Sequence, residues 1–312
     1  MTERETETVT VPREVIERYP RFSLYNSPYP AHDRGYAIDL YPGTGIGISP
    51  VDGVVRETRT VGCPDRQYAS DHDHVIVVDV DAGWSGAAGV DRPLTARILH
   101  VDPAVRSGDR ISVGDPLGST VRSGFFGRWV DDHVHLEFRE REANPFRASG
   151  SIRVAADIDV EPVPWNGRGT VIETGPAHAL LDAPAESVPD REYAAVASDE
   201  GMPIDGGLTH YAGGGALSRD VRDGSSRSDG DVGQDLSLLG RRIGTASGRN
   251  VSWTDVDVLA NGERITGMSL FVARGSSLGV KLVCPDRHFE IGTDVRVSIR
   301  ESRNPIRLDV GQ

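Results

Sequence analysis

Lysine is almost absent from this 312-residue chain: Lys281 stands alone, and arginine supplies nearly all of the 34 basic residues. Set against 47 acidic residues, that gives a net charge of -13. Nucleic acid is therefore a poor partner, because binding it depends on a basic surface that neutralises phosphates. An Asp-rich, Lys-poor surface stays hydrated where salt screens charges within a few ångströms, so the composition points to a halophilic protein in a high-salt cytoplasm. A GC-rich genome would also replace lysine with arginine. Cysteine is scarce too: Cys63 and Cys284 each sit in Cys-Pro-Asp-Arg with no second cysteine nearby, which excludes a disulfide framework. No apolar run approaches the ~20 residues of a membrane helix. The start, Met1-Thr2-Glu3-Arg4-Glu5, lacks the basic residues and apolar stretch of a signal peptide. The expectation is a cytoplasmic protein with no membrane contact.

Aromatic residues are also few, at 6%, whereas glycine reaches 36 and proline 19. That mixture suits short strands and frequent turns, so the fold is expected to be all-β. The length suggests two domains, each with its own core. After an N-terminal segment over 1–19, strand-like runs at Tyr36 to Leu40, Gly53 to Thr60, Val75 to Val80, Leu94 to Val101 and Val134 to Arg139 mark a first domain over 20–150. Residues 151–312 read as a second β-rich domain of unassigned role. Within it, 218–235 is almost wholly Ser, Asp, Gly and Arg and reads as a mobile loop. Asn261-Gly262 is a strong hairpin signal, because both residues accept positive φ. A protein partner could dock on this second domain, although no constellation there names one.

Two H-x-H motifs stand out, His72-Asp73-His74 and His133-Val134-His135. Around the second, Val134, Leu136 and Phe138 alternate with His133, His135 and Glu137, the period of a strand with one apolar face. Both imidazoles then leave the same side, where one can ligate a metal while its neighbour handles a proton. The first motif, with Asp71, reads as a hydrated turn. Asp131-Asp132 offers an acceptor that could orient a ligating imidazole or a plain charged turn. Ser119, Ser123 and Gly124 could line a groove or simply form turns. His178, His210 and His288 are isolated, with core or surface packing as the default.

An ordered series extends the second motif. Ala31-His32 to Asp39-Leu40 comes first, then Gly45 to Val55 with its Asp52-Gly53-Val54-Val55, and then His100 in Ile98-Leu99-His100-Val101. Val105 to Gly118, containing Gly108-Asp109 and Gly114-Asp115, leads on to His133-Val134-His135-Leu136-Glu137-Phe138. From about Pro20 to Phe146 the series resembles the lysostaphin/LytM-type zinc metallo-endopeptidases. The resemblance implies an antiparallel β-sandwich or half-barrel peptidase-like domain, followed by the second β-rich domain. It also implies one Zn²⁺ held by His32, Asp39 and His135, with His100 and His133 as catalytic residues beside it. The reaction implied is hydrolysis of a peptide substrate through a metal-activated water, in an open groove. Six residues separate His32 from Asp39, where the family has three. That departure keeps a second reading open, a noncatalytic binding or scaffold protein with a degenerate metal site.

Overall fold

The computed structural model describes residues 7–147, 150–184, 189–217 and 233–308. Strands dominate it, and the longest helix among the described residues is Ala82–Ala87. The architecture is all-β, with a curled half-barrel sheet and a second β-rich part. Two compact units emerge, one holding residues 7–22 and 34–158 and the other 23–33 and 159–308.

In the first unit, Ile38–Tyr41, Val134–Glu140, Leu94–Leu99, His72–Val80, Gly53–Gly62 and Arg110–Ile111 lie side by side in that order. The register is set by burial, since slipping a strand by one residue would exchange its two faces. Val134, Leu136 and Phe138 are wholly buried, and each such side chain contributes about 1.5–3 kcal/mol relative to exposure. The opposite face, carrying His135 and Glu137, is buried as well, so these polar groups must find partners within the protein. A smaller sheet joins Ile46–Ile48, Pro116–Thr120 and Val101–Pro103. Thr8–Val11 pairs in parallel with Arg153–Ala156, with Val9, Val11 and Val154 sealed inside.

The second unit contains a 12-stranded sheet. Its Asn261-Gly262 turn joins Val256–Ala260 to Glu263–Ile265 with φ of 52° and 83°, the hairpin its sequence signals. The adjoining apolar runs are each broken into shorter strands: Asn250–Trp253 precedes Val256–Ala260, and Gly267–Leu270 and Val272–Arg274 follow. Lys281, on Val280–Val283, is buried in this sheet. Of the loop expected at 218–235, residues 218–232 lie outside the described residues, while Gln234 and Asp235 already belong to the strand Gln234–Leu238.

Candidate functional site

Strand pairing brings the central residues together. Asp39 is the direct cross-strand partner of His135, and its Oδ1 lies 2.8 Å from His135 Nδ1. On the other neighbour, Arg97 stands opposite Glu137 and donates to it at 2.7 Å. Glu137 also lies 3.0 Å from His135 Nε2 and accepts hydrogen bonds from Ser151 and Arg139. One imidazole is thus held between two carboxylates, of which Glu137 is balanced by two arginines. Burial opposes charge on His135, but hydrogen bonds and charge from Asp39 and Glu137 outweigh it and raise the pKa to about 9. Burial likewise opposes charge on Glu137, and its histidine, arginine and serine partners hold the carboxyl well below the usual range.

His133 has a different electrostatic character. Its Nδ1–H donates to the Asp131 carbonyl at 2.9 Å, leaving Nε2, 3.5 Å from Asp39 Oδ1, as the acceptor nitrogen. Burial lowers its pKa to about 4, against the pull of Asp39, so the ring is neutral at pH 7. The acceptor beside it is therefore a main-chain oxygen. The carboxylates of Asp131 and Asp132 instead pair with Arg21 and Arg122.

His100 follows Leu94–Leu99, and its ring centroid is 5.0 Å from that of His133 and 5.6 Å from that of His135. Phe126 packs against both His100 and His133 at 4.7 Å. The loop carrying Phe126 is tightly held: Arg122 donates to the carbonyls of Gly127, Arg128 and Val130, and Tyr68 donates to that of Phe126 at 2.9 Å. Gly124 is required there, since a Cβ would come 2.0 Å from the Pro64 carbonyl oxygen. The expected open groove gives way to a closely covered site, with Asp39, His100, His133 and His135 no more than 7% exposed.

His32 belongs to the helical turn Pro30–Asp33 and is buried. Its Nδ1 is 2.9 Å from the Leu24 carbonyl, which makes Nδ1 the donor. Asp205 fixes that segment from Gly207's strand, Ile204–Leu208, by accepting from Ser23 Oγ and the amides of Leu24 and Tyr25. His32 belongs to the second unit, whereas Asp39 and His135 pair within the first. Two imidazoles and a carboxylate form a donor set that suits zinc.

The sequence reading missed Asp73. It lies on the strand His72–Val80 and is completely buried, contrary to the expected hydrated turn, and its Oδ2 is 2.5 Å from His100 Nδ1. Ser123, expected at a groove or turn, is also fully buried and hydrogen-bonds to Asp73. The signal available was the run of alternation continuing upstream from Val75 through Asp73.

Residues 10–156 match the "Domain of unknown function (DUF8155) N-terminal domain", and residues 161–300 match the "DUF8155 C-terminal domain". Together these matches span most of the chain. The chain belongs to the DUF8155 family. No curated protein matches this DUF8155 chain. A solved chain from "Structure of the SpoIIQ-SpoIIIAH pore forming complex" is similar at 14% identity, covering 44% of this chain and 85% of its own, with a TM-score of 0.24. In this DUF8155 protein the described polar cluster therefore rests on its own geometry.

Proposed function

We propose that this DUF8155 protein is a zinc-dependent endopeptidase of the lysostaphin/LytM type. The observation that carries the reading is the convergence of Asp39, His133, His135 and His100 in the interior of the first unit. His32, Asp39 and His135 would hold zinc, which supplies Lewis acidity toward water and a peptide carbonyl. Neutral His133, with Nδ1 committed to the Asp131 carbonyl, presents Nε2 to accept a proton from the attacking water. His100 stands beside it as a second acceptor, and a proton taken up at its Nε2 can be handed on to the leaving amine. Phe126 covers both rings and keeps bulk water away.

Metal analysis of purified protein, together with hydrolysis of a quenched-fluorophore peptide library, tests the reading. Near-stoichiometric zinc that disappears in His135→Ala, with turnover lost in His133→Ala at retained zinc, is the expected result. Zinc content unaffected by substitutions at His32, Asp39 and His135 would overturn the ligand set. A second reading, a noncatalytic scaffold that retains the fold, draws on the coverage of the site by Phe126 and its low exposure. It predicts no turnover on any peptide of the library, whether or not zinc is bound.

A further inference from the structure

Asp73 lies between two histidines that are exposed or partly so, yet it is itself 0% exposed. A carboxylate shut away from water is costly unless charge and hydrogen bonds replace its hydration. Its partners are specific. Oδ1 accepts the amide of His74 at 2.6 Å and that of His100 at 3.2 Å, while Oδ2 faces Nδ1 of the His100 ring at 2.5 Å. Burial would push the carboxyl up, but His100, Ser123 and the His74 amide together hold it well below the usual range. It is an acceptor at every contact.

His100 has a φ of 68°, a left-handed conformation that non-glycine residues rarely adopt and that marks a constraint. The turn lies between Leu94–Leu99 and Val101–Pro103. There it brings the backbone N–H and the ring of one residue onto the same carboxylate. Two amides alone would satisfy Asp73 as a strand-end anchor. The ring contact adds a directional constraint on a side chain already packed against His133, His135 and Phe126.

We infer that Asp73 is a positioning residue for His100: it keeps the ring proton on Nδ1 and so presents Nε2 as a proton acceptor at the His133–His135 cluster. The inference rests on the hydrolase reading for its purpose, but its structural content stands apart from turnover. An ionised carboxylate can only accept, so the neutral ring must carry its proton on the nitrogen facing Asp73.

Asp73→Asn provides the discriminating change. The amide oxygen keeps the two backbone N–H donors, so the NH₂ group takes the place of Oδ2 and meets Nδ1 as a donor. The ring must then accept at Nδ1 and carry its proton on Nε2. Long-range ¹⁵N spectra of histidine-labelled, metal-free protein, recorded where the ring is neutral, are expected to show Nδ1–H in the wild type and Nε2–H in Asp73→Asn. In peptide hydrolysis kcat is expected to fall 10²–10⁴-fold, with KM unchanged. A wild-type His100 protonated on Nε2 would overturn the inference without any variant, as would an Asp73→Asn protein that folds and keeps its proton on Nδ1. Absence of turnover in the wild type would overturn the hydrolase reading alone, because the ring spectra decide the role of Asp73 in either case.

Discussion

Asp39 and His135 face each other across paired strands, Oδ1 to Nδ1 at 2.8 Å, while Glu137 approaches the other nitrogen of the same ring at 3.0 Å. Without metal, both ring nitrogens are donors and the imidazolium is favoured, with a pKa of about 9.

On the proposed ligand set, zinc binding would displace a proton from that ring. Below pH 9, apparent zinc affinity should therefore fall about tenfold for each unit the pH drops, measured by competition with a chromophoric chelator between pH 6 and 8. The stability of the metal-free protein follows the same raised pKa. The contribution is fully present below the unfolded value of 6.5 and is lost as pH rises through about 9. A flat affinity profile would remove the proton from Nδ1.

Glu137 balances Arg97 and Arg139 in the interior. Glu137→Gln leaves two guanidiniums with one partner fewer, and the loss of a buried charge partner costs about 3–5 kcal/mol. Zinc affinity should also fall about 10–100-fold, as it does when the acceptor behind a ligating imidazole is removed. Urea unfolding and chelator competition on one preparation measure both. Equal stability and affinity would mean that the carboxylate is a bystander.

Phe126→Ala removes the ring that covers His100 and His133. Truncation at this buried position should cost about 3 kcal/mol and speed the modification of His133 by diethyl pyrocarbonate. If coverage alone suppresses turnover, peptide hydrolysis should rise in this variant. An unchanged modification rate would show that another group shields the ring.

His210 reports on the second unit. Burial, with Arg307 adding to it, lowers its pKa to about 3, so the unfolded chain, at 6.5, takes up the proton first. Stability is present above pH 6.5 and is lost as pH falls toward 3, at about 1.4 kcal/mol per unit. Asp205 acts oppositely: burial, opposed by its Ser23 and amide hydrogen bonds, raises its pKa to about 6, so its penalty grows as pH rises from 3.8 to 6. The difference between wild type and His210→Gln isolates the histidine slope by thermal unfolding between pH 4 and 7. Parallel profiles would place His210's titration elsewhere.

The all-β class was legible because period-2 alternation and turn residues are local properties. The strand around His135 is the clearest case: Val134, Leu136 and Phe138 announce it, and Asn261-Gly262 announces its hairpin in the same way. Asp73 and Glu137 were not legible as a pair of ring partners. Their roles depend on cross-strand register, which places Glu137 opposite Arg97, and on the left-handed turn at His100, which no short pattern encodes. Burial of both strand faces was hidden for the same reason, since alternation usually signals one wet face and here His135 and Glu137 on the second face are buried too. The broken runs after Asn250 show a further limit, because a continuous apolar stretch does not say where a chain turns from one partner strand to the next.

Lys281 carries a practical consequence. The chain's single lysine lies 3% exposed within the sheet of the second unit, so amine-directed acylation, cross-linking or resin coupling has no lysine amine to reach in the folded protein. Its reactivity would appear only when Val280–Val283 leaves the sheet, which makes a stoichiometric count of modified lysine a direct gauge of how often that sheet opens.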